Sequence, residues 1–241
     1  GANGGPIASQ VHELGNFTTP NSHIAMTLTG NEGYGLTLGA ITPTRSWATR
    51  NDSDGMLTLA SVTKTYNRPL TFEGTGDTTI TGGVSQAQPN ANYGNQLTKN
   101  GGGELIIGGS ITINAYTKLN EGTLTLNGSK TFYITGDGSS ATYTRIYGDG
   151  GGDTTNNLNG SFVFDVTGAT EAESNTWQIV DNATINEVNY GAGFVVTGAT
   201  SGGGSAGSRV WSFPAAVNPA LGYEFDESTG VLTLVAVVDP A

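Results

Sequence analysis

The feature that most constrains this sequence is a short motif in which a glycine is followed by alternating aliphatic residues. It occurs at Gly55–Leu59, Gly103–Ile107, Gly122–Leu126 and Gly230–Leu234, with a shorter variant at Gly35–Leu38. Alternation with a period of two places the aliphatic side chains on one face of an extended strand, and glycine favours the tight turn before it. The sequence therefore predicts many short strands that are separated by turns.

Composition supports the same interpretation. The 241 residues include 38 glycines, and only 12 % of the residues are charged. The abundant Gly, Thr and Asn are poor helix formers, which argues against a helical bundle. The chain has no Cys, so disulfide frameworks, zinc–thiolate centres and Cys nucleophiles are excluded. We predict an all-β fold, a stack of short strands like a β-solenoid or β-sandwich with Gly/Asn turns and no significant helix.

The spacing of the motif suggests how the strands are organised. The copies that begin at Gly103 and Gly122 lie close enough for one coil of a solenoid, in which each coil pairs with the next. We predict an N-terminal arm with the first strands in residues 1–50, a solenoid-like repeat region in 51–148 and a sandwich-like region in 149–241. One continuous domain is the alternative.

The charge pattern bears on the partners. Lys plus Arg is 9 and Asp plus Glu is 20, which gives a formal net charge of −11. The basic residues are scattered, whereas nucleic acids and anionic membranes require clustered positive charge. The sequence also lacks an apolar run of about 18 residues that could span a membrane. We therefore predict neither a nucleic-acid partner nor membrane insertion.

The first residues, Gly-Ala-Asn-Gly-Gly-Pro, bear on the compartment. They contain no initiator Met and no signal peptide, so we interpret them as a mature N-terminus that is left after signal-peptide cleavage. The absence of Cys fits export through an oxidising compartment. The expected location is extracellular or at the cell surface.

No catalytic constellation stands out. His12 and His23 have no nucleophile motif beside them, and two His are too few for a His-rich metal site. The acidic residues on predicted strands show no pairing of the kind that glycoside cleavage requires. They are Glu73, Asp77, Glu104, Asp165 and Glu224. We therefore predict that the protein is not an enzyme.

Calcium is the one cofactor that the sequence leaves open. Asp52 and Asp54 begin an oxygen-rich loop that lacks the distal Glu of an EF-hand. Asp149 and Asp153 flank a Gly run that resembles a single copy of a Gly/Asp calcium repeat. We favour a plain turn for each pair, so the prediction is no cofactor, with calcium at these four residues as the alternative.

Aromatic residues indicate either a core or a sugar-stacking surface. We assign Trp177 and Trp211 to the core, because a Trp buries a large apolar area. Trp47 stays open between the two roles. A glycan-binding surface would present Trp47 together with Tyr34 and Tyr93, which makes a surface polysaccharide a second possible partner.

The two chain ends predict self-association. Val231–Val238 is almost entirely apolar, so we expect it to be buried on both faces and to pair within the chain or with another subunit. Gly1–Gln10 is a pliable arm that could extend onto a neighbour. The predicted assembly residues are Gly1, Ile7, Val11, Val231, Leu232, Leu234, Val235 and Val237.

Three segments resemble a known family. Pro69–Ile80, Leu97–Ile107 and Leu119–Gly128 are similar to the autotransporter-associated β-strand repeat, and this resemblance covers roughly residues 68–135. Thr176–Asp181 and Gly222–Leu234 resemble the end of bacterial secreted proteins of the PEP-CTERM type. The Pro-Glu-Pro motif, apolar helix and basic tail of that type are missing from this sequence. The resemblance implies an exported β-rich protein and supplies no catalytic residues.

Together these observations favour a non-enzymatic structural subunit of an extracellular or cell-surface bacterial filament or matrix. Such subunits would form a homopolymer by β-strand complementation through a terminal segment. The alternative is a secreted glycan-binding module, and a polysaccharide-cleaving enzyme ranks behind it.

Overall fold

The predicted all-β class is confirmed. The computed structural model contains 25 strands and no helix in the residues that it describes. It describes residues 11–18, 24–30, 33–65, 68–86, 96–139 and 143–237. Within these residues there is accordingly no helix with the length and apolarity that crossing a bilayer requires.

The strands are short, as the spacing of turn residues predicts. In chain order they are β1 (Val11–Leu14), β2 (Phe17–Thr18), β3 (Ile24–Gly30), β4 (Gly35–Thr42), β5 (Trp47–Ser53), β6 (Leu57–Lys64), β7 (Leu70–Glu73), β8 (Thr78–Ile80), β9 (Gly83–Gln86), β10 (Leu97–Lys99), β11 (Glu104–Ile107), β12 (Ser110–Ile111), β13 (Thr117–Leu119), β14 (Gly122–Leu126), β15 (Ser129–Gly136), β16 (Ile146–Gly148), β17 (Thr154–Leu158), β18 (Ser161–Ala169), β19 (Thr176–Gln178), β20 (Glu187–Tyr190), β21 (Val195–Val196), β22 (Thr200–Ser201), β23 (Val210–Pro214), β24 (Leu221–Asp226) and β25 (Val231–Ala236).

Two parallel sheets contain most of the strands. From β3 to β18 the chain alternates between them. We call each crossing of one sheet a passage, and each strand pairs in parallel with a strand of the next passage through the same sheet. One sheet has the order β16-β13-β10-β7-β5-β3, and the other runs from β4 and β6 to β20 and β21. Parallel neighbours cannot be joined by a hairpin, so every passage through the opposite sheet serves as the crossover. We call this pair of sheets the stack; the finer solenoid assignment stays a prediction.

The register of the larger sheet aligns buried side chains in rows. The Gly103 and Gly122 motifs pair directly, with Leu105 opposite Leu124 and Ile107 opposite Leu126. We name the row through Ile107 the Leu38 row. It contains Leu38, Leu59, Ile80, Ile107, Leu126, Leu158 and Tyr190, all buried. Rows of this kind form the core, because aliphatic residues recur at the same position of successive passages.

A second inner row runs parallel to the first. This Ile41 row contains Ile41, Val62, Val84, Ile111, Lys130, Phe162 and Val196. Six of its members are apolar, and all seven are buried. Lys130 is the one charged residue of the row, and only 1 % of its surface is exposed.

Apart from β19, the strands with antiparallel pairing all follow Val196, whereas we placed a domain limit at residue 149. Parallel ladders cross that limit, since β14 pairs with β17 and β15 with β18. Beyond them lies an antiparallel sheet with the order β19-β25-β24-β23-β22. We call β22–β25 the cap. Its Phe225 contacts Phe162 and Tyr190, with ring centroids 5.6 and 6.3 Å apart, so the cap packs against the last member of the Leu38 row and the next-to-last member of the Ile41 row.

The C-terminal strand is where the sequence prediction of burial on both faces is wrong. Leu232 and Leu234 are fully buried, but the alternate residues Val231 and Val235 are only half-buried, and Val237 is 52 % exposed. This strand, β25, is central in its sheet, with β24 on one side and β19 on the other. An antiparallel sheet with one covered face needs apolar residues on that face alone. The apolar run therefore pairs within its own chain.

Candidate assembly surface

The start of the stack is its open end. Among the described strands, β1 and β2 pair only with β4, and β3 pairs only with β5. All three are edge strands, with one row of backbone N–H and C=O groups directed away from the sheet. Such an edge is a template for a further strand. We call the surface formed by β1, β2 and β3 the open end.

Two inner rows begin at the open end with exposed residues. Leu14 lies opposite Leu38 and is 61 % exposed, and Phe17 lies opposite Ile41 and is 42 % exposed. At the next position of each row, Leu38 and Ile41 are buried. The apolar pattern of the core thus continues into the edge strands, although no described strand covers them. These are the side chains that another strand would bury.

A small apolar hollow lies between β1 and β3. It has a volume of about 170 Å³ and is lined by His12, Leu28, Tyr34 and Leu36, among others. The His12 and Tyr34 rings lie 6.1 Å apart. A hollow of this size can take a single large side chain of an added strand. The open end therefore offers a side-chain pocket in addition to its free backbone hydrogen-bonding groups.

The break between β1 and β2 is fixed by side-chain and backbone contacts. Gly39 donates its N–H to the Gly15 carbonyl at 3.1 Å, and Ala40 donates its N–H to Asn16 Oδ1 at 2.9 Å. The Asn16 amide thereby replaces a strand partner at the corner. Because the corner is anchored in this way, Leu14 and Phe17 both stay in register with β4.

The opposite end differs in its burial. Tyr190 and Phe162, at or near the far ends of the two rows, are 7 % and 2 % exposed. Trp211 of the cap contacts Phe194 at 6.1 Å between ring centroids, and Phe213 stacks on Phe164 at 5.8 Å. The cap closes the far end of the core, whereas the open end lacks such a cover among the described residues.

Exposed large apolar side chains concentrate at the two ends of the fold. Within the described residues, the range from Leu57 to Phe194 has none. Those near the open end are Val11, Leu14, Phe17 and Tyr34, those near the cap are Val195, Val217 and Val237, and Met56 lies in the turn before β6. Large exposed apolar patches commonly mark interaction sites.

The predicted assembly residues divide into three groups. Val11 is 56 % exposed on edge strand β1 and belongs to the open end. Gly1 and Ile7 lie outside the described residues. The remaining five belong to β25 and the residue after it, far from the open end in the strand order. Within the described residues, Val11 and the five C-terminal assembly residues therefore lie on different sheets.

Sequence reasoning missed Leu14 and Phe17. Both lie in a Gly/Asn-rich stretch without a clear strand pattern, so no run of alternation identified them. The one available signal was their spacing from Leu38 and Ile41, which is 24 residues in each case and matches the pairing of β1 and β2 with β4.

The aromatic predictions have mixed outcomes. Trp177 and Trp211 are buried as predicted. Trp47 is 1 % exposed and packs edge-on against Phe72, so it cannot stack on a sugar ring. Tyr34 is 36 % exposed at the open end, and Tyr93 lies outside the described residues. A coplanar platform through Trp47 is therefore wrong.

Of the four calcium candidates, Asp52 lies near the end of β5 and Asp54 in the turn after it, while Asp149 and Asp153 lie in the connection between β16 and β17. Asp52 accepts the Arg50 Nε–H at 2.5 Å, and Asp149 accepts the Gly151 N–H at 3.1 Å. Asp54 lines a polar hollow of about 320 Å³ with Asp77, and Asp153 lines a different one. In the described part of the chain, no group of three or more acidic or His side chains is placed to hold a metal ion. Calcium binding stays a prediction.

The His and strand-borne carboxylates serve local contacts. Glu104 accepts the Thr125 hydroxyl, and Asp77 accepts the Glu104 N–H at 2.8 Å. Asp165 accepts the Thr167 hydroxyl at 2.7 Å. His12 lies at the open end, and His23 is outside the described residues.

A polar groove crosses four successive passages of the stack. Its volume is about 540 Å³, and its lining includes Gly102, Glu121, Thr123, Asp153, Thr155 and Glu187. Thr123 and Thr155 are register partners, and Thr155 pairs in turn with Glu187. The groove therefore follows the direction in which strands stack and presents hydroxyl and carboxylate groups at regular intervals.

Comparison with known proteins adds no relative: no family model, no curated protein and no solved structure matches this chain. The resemblance to the autotransporter-associated β-strand repeat thus stays a prediction from the sequence motifs.

Proposed function

We propose that this protein is a non-enzymatic structural subunit that self-assembles into an extracellular filament or matrix by β-strand addition at the open end. The observation that carries the proposal is the exposure of Leu14 and Phe17 at the head of two otherwise buried rows. An identical subunit is the partner that the concentration of apolar side chains at the two ends favours.

Strand addition suits this surface for energetic reasons. Each backbone hydrogen bond adds only about 1 kcal/mol net, so the edge alone gives modest affinity. Burial of apolar side chains adds roughly 25 cal/mol per Å², which makes Leu14, Phe17 and Val11 the larger contribution. A contact between unlike ends does not close on itself and yields a filament, whereas a contact between like ends yields a dimer.

The test replaces Leu14 and Phe17, the exposed first residues of the two rows, with charged residues. We expect the Leu14→Lys/Phe17→Lys variant to remain monomeric at concentrations where the native chain polymerises, because an added strand would bury two unpaired charges. Sedimentation velocity over a concentration series and negative-stain electron microscopy measure the outcome. Met56→Lys is the matched control, since Met56 is also exposed but lies in a turn on the side of the stack.

A deletion at the N-terminus tests that segment as the donor strand. Removal of residues 1–10 leaves every described strand intact, so loss of polymers in that variant would identify the N-terminal segment as the donor. Removal of β25 is not informative, because Leu232 and Leu234 are fully buried in the cap. A native chain that stays monomeric at all concentrations, or polymers that persist in the double Lys variant, would refute assembly through the open end.

The second candidate function is binding of an extended polysaccharide in the polar groove. Its support is that three successive passages each place a carboxylate in the groove, from Glu121, Asp153 and Glu187, which suits a ligand made of repeating units. We expect Asp153→Ala and Glu187→Ala to abolish any binding that a glycan array detects. Binding that survives both substitutions would exclude this groove.

A further inference from the structure

Lys130 is the one charged member of the Ile41 row. Its register neighbours are Ile111 on β12 and Phe162 on β18. The side chain is 1 % exposed, and its Nζ has no hydrogen-bond partner among the described residues. A buried ammonium without a partner is strongly unfavourable, so a lysine at this position favours its neutral form.

The closest favourable contact of the amine is aromatic. Nζ lies 4.9 Å from the centroid of the Phe132 ring. Phe132 in turn contacts Phe162 at 4.6 Å, and Phe162 contacts Phe225 of the cap at 5.6 Å. Lys130 therefore lies beneath the aromatic cluster that holds the cap on the stack.

No nearby charge compensates the ammonium. Burial alone lowers the pKa of Lys130 to about 7. The titratable groups on the strands packed against it are Tyr133 on β15 and Asp165 on β18, which are register partners on the opposite, outward face of the sheet. On β24 of the cap, Glu224 and Asp226 alternate with Phe225 and are likewise directed away from the cluster.

Three other ionisable side chains lie at the aromatic cluster, namely Tyr190, Arg209 and Glu227. Burial, with a contribution from Glu227 and Asp226, raises the pKa of Tyr190 far above its ordinary value. Arg209 and Glu227 form an ion pair at 2.8 Å.

We propose that Lys130 makes the seating of the cap pH dependent, tight in alkaline solution, where the amine is neutral, and weaker as the amine takes up a proton. The mobile unit is β18, the strands β20 and β21 that follow it in the larger sheet, and the cap, because β18 pairs with β15 beside Lys130 and Phe225 of the cap contacts Phe162 of β18. This inference does not depend on the proposed assembly, since it concerns the opposite end of the fold.

The direction follows from proton linkage. When the unit opens, Lys130 reaches water and its pKa returns to about 10.4. Between that value and about 7 the open form binds more protons than the closed form, so stability of the closed form falls as the pH falls. The opening equilibrium should rise about tenfold for each pH unit lowered in this window and level off below it.

Hydrogen exchange followed by mass spectrometry tests the proposal. After correction for the intrinsic pH dependence of exchange, we expect protection of residues 161–169 and 221–236 to fall about 50-fold from pH 9 to pH 7. Residues 47–53 near the open end, a strand that carries no lysine, should show no such change. In Lys130→Met, which keeps an unbranched side chain, protection should be higher and independent of pH.

Lys118→Met is the matched control, because Lys118 lies on the partly exposed face of β13 and should leave the pH profile unchanged. If Lys130→Met fails to fold, the titration of the Lys130 amine in the native protein by nitrogen-detected NMR gives the answer. A midpoint above pH 9.5, or a Lys130→Met profile identical to that of the native chain, would overturn the proposal.

Discussion

Gly109→Ala is expected to destabilise the fold on the order of 3 kcal/mol or more, because a Cβ at this position would clash with the backbone of the preceding passage. A Cβ at Gly109 would lie 1.6 Å from the carbonyl oxygen of Gly82 in the preceding passage. The same relation recurs upward, with a Cβ at Gly128 falling 2.1 Å from the Gly109 oxygen and one at Gly160 falling 1.9 Å from the Gly128 oxygen. These glycines form a column in which consecutive backbones touch.

The measurement is equilibrium urea unfolding combined with thermal melting. For a chain of this size the loss corresponds to a decrease in Tm of about 6–12 °C. Gly102→Ala is the control, since a Cβ there meets no atom within 4 Å and the backbone does not require a glycine. Equal stability of the two variants would show that successive passages are not packed as closely as the column implies.

Glu227→Ala should destabilise the cap by roughly 3–5 kcal/mol, because it leaves a mostly buried guanidinium without its partner. Glu227 is 1 % exposed, and its carboxylate forms the ion pair with Arg209 Nε at 2.8 Å. It also accepts the Trp211 indole N–H at 2.8 Å and the Gly207 N–H at 2.7 Å. Two hydrogen-bond donors and one guanidinium of the cap converge on this one side chain.

Arg209 extends the effect to the stack. Its Nη2 donates to the Gly191 carbonyl at 3.1 Å, and its guanidinium lies 5.3 Å from the Trp211 ring centroid. Loss of Glu227 should therefore lower the stability of the cap and the last passage together, observed as a decrease in the urea midpoint measured by Trp fluorescence. Glu173→Ala, at an exposed position in the loop before β19, serves as the control. A Glu227→Ala midpoint equal to that of the control would contradict the role of this carboxylate.

Local sequence pattern predicted the elements that depend on neighbouring residues alone. The Gly-x-Leu-x-Leu copies at Gly103 and Gly122 become the paired strands β11 and β14, because alternation decides which face is buried. Trp177 and Trp211 are core residues, as large aromatics in a strand-rich chain usually are.

Prediction failed where a residue's role depends on the passage above or below it. Leu14 and Phe17 are identified as members of the inner rows only by their register with Leu38 and Ile41. The number of residues between successive passages varies too much along the chain to reveal that register from the sequence. The register partners Leu105 and Leu124 are 19 residues apart in the sequence, whereas the next partners in the same row, Leu124 and Asn156, are 32 residues apart. A period that changes in this way hides the repeat in the sequence.

The sequence by itself determined the strand-and-turn class, the faces of the strands and the absence of thiol chemistry, because these follow from composition and from contacts between near neighbours. Only the tertiary structure decided that the C-terminal strand lies between β19 and β24, that Lys130 lies under the cap and that the first strands form an edge that no other described strand covers. Each of these depends on which distant segments become neighbours, and that choice is made by backbone pairing and burial across the whole fold.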